Sequence, residues 1–127
     1  RQMLKHGATS LYEEYNPDMS GTEHYAMYGR PYEKSLCHAW SASPIYLLGA
    51  YRMGVRNTGT AYDSFEVVPQ LGDLKWFEGK VPVPDGYVTV KEDEEKITVV
   101  SDIPGGILKI AGKIYELEAG KEMSVKR

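Results

Sequence analysis

The sequence predicts a mainly β protein with a short α-helical N-terminal part, the β portion being an antiparallel sandwich. From residue 61 onward, short runs rich in Val, Ile, Tyr and Phe alternate with turn signals. These runs recur at roughly ten-residue spacing, which is typical of a β-sandwich. The residues before Val55 instead show helical patterning among aromatic, Ser, Ala and His residues. We therefore expect the composition to change once, near residues 55–59.

The first helical element is "RQMLKHG", residues 1–7. Met3 and Leu4 precede Gly7, and glycine is the residue that a left-handed C-terminal cap prefers. The pattern predicts the last turns of a helix. Because the beginning of that helix is absent from the sequence, we interpret the chain as a piece of a longer protein.

The second helical element is "SASPIYLLGAYRMGV", residues 41–55. Ser43 is a good N-cap, Pro44 fits the first helical position, and Gly54 can end the helix. An apolar face is expected to enter the core, and it comprises Leu47, Leu48, Tyr51 and Val55. The following "VRNTGT" is interpreted as a linker.

The predicted strands lie in "YDSFEVVP", "LKWFEGKVP", "GYVTVKE", "KITVVSD", "GGILKIA", "KIYELE" and "EMSVK". The turns between them are marked by "LGD", "PDG", "EDEE", "PGG" and two copies of "AGK". The acidic run at residues 92–95 is interpreted as a solvated hairpin connection rather than a calcium site, because calcium ligands need spaced oxygens and glycine-permitted curvature.

Composition excludes several function classes. The 127-residue chain has a net charge of −3 and scattered basic residues, so it offers no footprint for nucleic acid. No stretch approaches the roughly 18 apolar residues of a membrane span. The single cysteine, Cys37, cannot form an internal disulfide and is expected to be a small buried hydrophobe. The cellular compartment stays open.

The stretch "LYEEY", residues 11–15, is the best candidate for chemistry. Glu13 and Glu14 are adjacent, so their side chains point to different sides and at most one faces a site. A carboxylate flanked by Tyr12 and Tyr15 suits a general base in a carbohydrate cleft, since aromatic rings stack on sugars. An exposed acidic loop is the equally weighted alternative.

Metal and nucleophile sites are poorly supported. His6, His24 and His38 lack zinc spacing, and Cys37 and His38 are adjacent, which places them on different sides of the chain. Nothing in the sequence orients a Cys–His nucleophilic pair. We predict no metal and no cofactor.

Three ordered segments, "GATSLYEEY", "SLCHAWSASPIYLLGAYRMGV" and "FEVVPQLGDLKWFEGKVPVPDGYVTV", resemble the C-terminal part of glycoside hydrolase family 78, the α-L-rhamnosidases. The resemblance implies the last helices of an (α/α)6 barrel followed by a β-sandwich. It implies that Glu13 is the general base and that His38 contacts the sugar, with Tyr12 and Trp40 as further substrate-binding residues. The sequence departs from the family pattern at Ser10, Tyr12 and Cys37, where the family has Thr, Trp and Asn.

The resemblance also implies a division of roles along the chain. Residues 1–56 would be the end of the catalytic barrel and residues 57–127 the sandwich. The general acid would lie in earlier helices, so the fragment alone is expected to be inactive, and its carbohydrate partner to bind only in the full-length protein. Without barrel partners the helices would expose apolar faces, through which copies of the fragment could associate.

A sandwich of a different (α/α)6 carbohydrate-active enzyme, structural or carbohydrate-binding, is the alternative. Its ring candidates are Tyr62, Phe65, Trp76 and Phe77. Trp76 and Phe77 are consecutive in a predicted strand, so one faces the core and the other faces outward. An outward ring on a concave face would favour binding.

Overall fold

The computed structural model describes residues 2–127, with side chains from Met3 onward. The chain divides into two compact units, Arg1–Ile45 and Tyr46–Arg127. The helices are α1 (Gln2–Lys5), α2 (Ser43–Leu47), two 3-10 helices (Gly21–Tyr25 and Ala39–Ala42) and a π-helical turn (Leu48–Arg52). No helix within the described residues has the length and apolar character needed to cross a bilayer. Arg1, the first residue of the first predicted helix, lies outside the described residues.

Two four-stranded sheets follow the helices, in the order β1-β2-β6-β7 and β3-β4-β5-β8. The strands are β1 (Val55–Asn57), β2 (Phe65–Val67), β3 (Trp76–Val83), β4 (Gly86–Asp93), β5 (Lys96–Ser101), β6 (Gly106–Ile110), β7 (Lys113–Glu116) and β8 (Glu122–Lys126). All neighbours pair antiparallel except β2 and β6, which are parallel. The predicted class, mainly β with a sandwich after a short helical part, is confirmed.

The core lies between the two sheets because the strands alternate apolar and polar residues. In β4, Val88 and Val90 are buried, and in β5, Ile97 and Val99 are buried. From the other sheet, Phe65 of β2 is 1 % exposed and packs in the same cluster. Phe65 pairs with Gly106 of β6, where an added Cβ would lie 2.3 Å from the end of the Phe65 ring. That close approach explains the glycine in a strand.

The segment after Pro44 differs from the expected amphipathic helix. Ser43 is not an N-cap, because its own backbone is helical (φ of −50°, ψ of −33°) and the 3-10 helix Ala39–Ala42 leads directly into α2. From Leu48 the chain winds as a π-helical turn, with the Met53 amide donating to the Leu48 carbonyl at 2.8 Å. The expected spacing of apolar residues on one face is lost there. Gly54, with φ of 73°, ends the segment as predicted.

The predicted core face of this helix is therefore largely wrong. Leu47, Leu48 and Tyr51 are exposed. Val55 is buried, but it lies on β1 and pairs with Val67 of β2. The interpretation of "VRNTGT" as a linker is wrong for its first three residues, which form β1.

The acidic run at residues 92–95 is only partly the solvated connection that the sequence predicts. Glu94 and Glu95 are exposed, whereas Glu92 is 2 % exposed and lies on the same face of β4 as the core valines. The Arg127 Nε atom lies 3.4 Å from Glu92 Oε1, yet neither carboxylate oxygen has a hydrogen-bond partner among the described residues. Burial raises the pKa of the Glu92 carboxyl, and the charges of Arg127 and Arg52 only partly offset this effect.

Replacing Glu92 by Gln is expected to stabilise the sandwich at pH 7 by roughly 1 kcal/mol, because it removes a desolvated charge. Because the pKa of Glu92 is raised in the folded state, protonating this carboxyl stabilises the fold. The stabilisation is fully present below the ordinary carboxyl pKa, and it is lost as pH rises through the folded-state pKa. The advantage of Glu92→Gln should therefore shrink as pH falls through the raised folded-state pKa, and it should be largely gone below about pH 4.5. Urea unfolding at pH 4 and pH 7 measures it.

Glu94→Gln, an exposed change in the adjacent turn, is the control and should have little effect at either pH. A less stable Glu92→Gln protein at pH 7 would contradict the prediction, since it would mean that the attraction of Arg127 outweighs burial. The half-exposed guanidinium of Arg127 remains solvated when its partner is removed.

Candidate functional site

Two segments of the first unit run side by side and carry most of the predicted site residues. The Glu13 amide donates to the Ser35 carbonyl at 2.8 Å, and the His38 amide donates to the Leu11 carbonyl at 3.0 Å. The Ser41 hydroxyl donates to the Tyr12 carbonyl at 2.6 Å. These bonds hold residues 11–13 antiparallel to residues 35–38, so residues about 25 positions apart in sequence become neighbours.

The Glu13 carboxylate is nearly enclosed, with its side chain 10 % exposed. The Tyr28 hydroxyl donates to Oε1 at 3.1 Å, and the Ser35 amide donates a long hydrogen bond to Oε2 at 3.4 Å. His38 Nδ1 lies 3.9 Å from Oε2. Both oxygens are therefore oriented by neutral donors beside an imidazole, which is an arrangement suited to accepting a proton from a bound water.

Tyr28 reaches Glu13 from a tight turn that the sequence analysis did not single out. Met27 and Arg30 exchange backbone hydrogen bonds of 3.0 and 2.9 Å, and the two residues between them, Tyr28 and Gly29, have φ of 52° and 76°. Positive φ at both central residues is the geometry of a type I′ turn. Tyrosine is rare at such a position, so no turn signal in the sequence pointed to it.

The hydrogen bond to Glu13 raises the pKa of the Tyr28 phenol above its ordinary value, and the negative charge of Glu13 acts in the same direction. Tyr28 therefore stays protonated at neutral pH. It remains a donor to the carboxylate throughout the range in which a carboxylate base works.

His38 lies beside Glu13, and Trp40 lies beside His38. Their ring centroids are 4.3 Å apart, and most of the Trp40 indole is exposed. An exposed indole beside a histidine offers a sugar both a stacking surface and a hydrogen-bonding group. Cys37 is exposed, so the expectation that it would be a buried hydrophobe is wrong; the turn that brings His38 to Glu13 leaves its neighbour on the outside.

Tyr12 does not share this cluster with Glu13. It is buried and lines a separate cavity of about 380 Å³. The cavity is also lined by Tyr25, Tyr32 and Lys34, of which the two tyrosine rings stack with centroids 6.2 Å apart. The structure thus groups Glu13, His38 and Trp40 and places Tyr12 on another side of the same segment. The roles of all four residues stay predictions.

Glu14 points away from Glu13, as the alternation of side chains along the segment predicts. Its side chain is about half exposed, and its Oε2 atom lies 4.0 Å from Nζ of Lys34, whose side chain is almost fully buried. The sequence analysis missed Lys34, which lies between the first two segments that carry the family resemblance, in "EHYAMYGRPYEK". The Glu14 carboxylate is therefore the countercharge nearest to the buried Lys34 ammonium. Within the part of the chain that the structure describes, Glu14 forms no ion pair with the residues grouped around Glu13.

Metal-ligating groups do not gather anywhere in residues 2–127 in sets of three or more. His6 and His24 lie with ring centroids 4.3 Å apart, and Tyr15 stacks on His24. These rings pack against one another. His38 is the histidine that lies beside a carboxylate.

The chain is similar to parts of two solved carbohydrate-active enzymes. A family GH78 rhamnosidase of Bacillus sp. GL1 is 32 % identical, with a TM-score of 0.52, over 78 % of this chain and 9 % of that one. A protein assigned as a kojibiose phosphorylase, from the human microbiome, is 19 % identical, with a TM-score of 0.49, over 68 % of this chain and 11 % of that one. No protein-family model and no curated protein matches the chain.

The likeness to the rhamnosidase fits a part of a glycoside hydrolase-like protein. The chain spans only about a tenth of the length of the solved structures that it matches. The rhamnosidase alignment covers most of the present chain, at an identity well above that of the phosphorylase alignment.

Proposed function

We propose that this chain is the C-terminal part of an inverting glycoside hydrolase that acts on α-L-rhamnosides, with Glu13 as its general base. The observation that carries the proposal is the grouping of a nearly enclosed carboxylate with His38 at 3.9 Å and with the exposed ring of Trp40 beside that histidine. The 32 % identity to a GH78 rhamnosidase supports rhamnose as the sugar.

The proposed reaction needs a base on one face of the sugar and an acid on the other. A carboxylate oxygen carries more than one acceptor site, so each Glu13 oxygen can keep its protein donor and still accept a hydrogen bond from water. Glu13 would remove a proton from that water as it attacks the anomeric carbon. The aglycone oxygen would take its proton from an acid about 6.5–9.5 Å from Glu13.

His38 and Trp40 would bind the sugar in this mechanism. The indole would stack on the apolar face of the ring, and the imidazole would hydrogen-bond a hydroxyl. Tyr12 would act in the neighbouring cavity as a wall. Residues 1–56 would be the end of an (α/α)6 catalytic barrel and residues 57–127 its C-terminal sandwich.

The general acid would lie in a part of the enzyme outside these 127 residues, so the chain alone is expected to be inactive. The test compares the full-length protein with the 127-residue chain on an aryl α-L-rhamnoside and on the matching aryl α-D-glucoside. We expect the full-length protein to favour the rhamnoside by at least about 100-fold in kcat/KM, because a site built for one set of hydroxyls leaves groups unpaired with another.

The isolated chain should release no more aryl alcohol than its Glu13→Gln variant. Release above that control would show that the chain carries its own acid and would overturn the proposed division of the site. A full-length protein that prefers the glucoside, or that needs phosphate for turnover, would overturn the rhamnosidase assignment.

A further inference from the structure

A groove of about 400 Å³ lies on the sheet β3-β4-β5-β8 of the sandwich, away from the Glu13 cluster in the sequence and in a different unit. Its lining comprises Trp76, Phe77 and Glu78 of β3, Lys91, Glu92 and Asp93 of β4, Lys96 and Thr98 of β5, and Glu122 of β8. Phe77 and Glu92 face the core, and the lining residues next to them in β3 and β4 point away from it, so most of the lining belongs to the outer face of the sheet.

Trp76 is the distinctive residue of this groove, with 67 % of its surface exposed. Phe77, the next residue in β3, packs against the buried core. The strand is held by regular pairing, Trp76 with Asp93 and Phe77 with Glu92, so the outward direction of the indole follows from the register. A large ring exposed at the edge of a cavity offers a flat stacking surface and an N–H donor.

The polar groups around Trp76 are held in place by one another. Lys91 Nζ lies 2.9 Å from Glu78 Oε1, and the hydroxyls of Thr98 and Ser124 are 3.3 Å apart. Asp93 Oδ1 accepts hydrogen bonds of 2.9 Å from the amides of Glu95 and Lys96. These amides lower the pKa of the Asp93 carboxyl, so it stays an ionised acceptor.

The chemistry of the groove favours one kind of occupant. The charged residues of the lining are two lysines and four carboxylates, so an anionic ligand is repelled. The aromatic surface is limited to Trp76 and to Phe77, which packs on the core, and this is too little for a docked protein, whose interface core is largely apolar. A single ring among fixed donors and acceptors matches a neutral sugar, which has an apolar C–H face and a rim of hydroxyls, and the volume falls in the range of small-molecule sites.

We propose that this groove is a second saccharide site, which binds a neutral sugar unit by stacking on Trp76 and by hydrogen bonds to Glu78, Lys91 and Asp93. The site does not depend on Glu13 or on the proposed rhamnosidase activity. It would hold a glycan on the sandwich.

The test titrates the ¹⁵N-labelled 127-residue chain with L-rhamnose and, separately, with D-galactose, and follows amide and indole signals by NMR. We expect at least one sugar to shift the Trp76 indole N–H and the amides of β3 and β4. Trp76→Ala should weaken binding about tenfold, since it removes the stacking surface. Because Trp76 is exposed, the variant should keep a folded spectrum.

Tyr87→Ala is the matched control, because Tyr87 is also an exposed ring on the outer side of β4 but lies outside the groove lining. Tyr87→Ala should leave the affinity measured from the Trp76 indole signal within about twofold of the parent chain. The second site would be overturned if neither sugar shifted these signals. It would also be overturned if Tyr87→Ala weakened binding as much as Trp76→Ala does. The second site would likewise be overturned if Glu13→Gln lost sugar binding and Trp76→Ala did not. That result would instead support sugar binding around Glu13.

Discussion

Replacing Glu13 by Gln in the full-length protein is expected to lower kcat by about 10²–10⁴-fold, the usual contribution of a general base, which is the role that we propose for it. The amide keeps the size of the side chain and can still accept from Tyr28, so the local structure should persist. It cannot take a proton from water. Substrate binding should remain measurable, because His38 and Trp40 are unchanged. Steady-state kinetics on an aryl α-L-rhamnoside, with a separate binding measurement, tests this.

Glu14→Gln is the matched control, being an adjacent carboxylate changed in the same way. Glu14 is about half exposed and faces Lys34 at 4.0 Å. We expect a change of a few-fold at most, since this pair lies outside the Glu13 cluster. Equal damage from the two substitutions would show that the segment matters for folding alone and would defeat the assignment of Glu13 as the base.

Replacing Phe65 by Ala is expected to destabilise the sandwich by about 3–5 kcal/mol. The Phe65 ring is 1 % exposed, lies in the core cluster and covers Gly106 on the paired strand. Its removal loses the apolar burial and leaves a cavity between the sheets. The loss is comparable to the lower end of a typical domain stability, so much of the protein should be unfolded at 37 °C. Urea unfolding followed by circular dichroism measures it.

Tyr87→Ala serves as the control for Phe65→Ala, because it also removes an aromatic ring from a strand residue of the sandwich. Tyr87 is exposed, so its removal should cost well under half as much. A Phe65→Ala protein as stable as Tyr87→Ala would contradict the position of the core between the two sheets.

The sandwich strands were predictable from sequence because their signal is local. In β4 and β5, valine and isoleucine alternate with polar residues, and the turn residues Pro84 and Asp85 separate β3 from β4. The strand β1 was not predictable, because three residues with one buried apolar side chain give no alternation. Its strand character comes from pairing with β2.

Glu92 is a residue for which the local sequence signal was misleading, because the signal predicts an exposed side chain and the side chain is buried. A run of acidic residues between two strands is typical of a solvated turn, and the sequence gives no sign of which member continues the inward face of β4. Only the register, which pairs Glu92 with Phe77 and Ile97, fixes its direction. The cost of burying this carboxylate is therefore a tertiary effect.

Some features of the candidate site could likewise be predicted from the sequence, and others could not. The closeness of Glu13 and His38 followed from resemblance to a family, since residues so far apart in sequence carry no local signal of contact. Tyr28 was missed because its hydroxyl reaches Glu13 through a turn with an unusual tyrosine at positive φ. The separate position of Tyr12 was not anticipated, although adjacent residues of an extended segment point to opposite sides.

The most direct test of Glu13 as the base is rescue of the full-length Glu13→Ala variant by sodium azide. Azide would occupy the space of the missing carboxylate and of its water, attack the anomeric carbon without needing a base, and displace the aglycone, which takes its proton from the acid. We predict that azide restores turnover of an aryl α-L-rhamnoside and that the product is the β-configured, inverted rhamnosyl azide. A folded variant that azide does not rescue, or an α-configured azide product, would contradict the assignment.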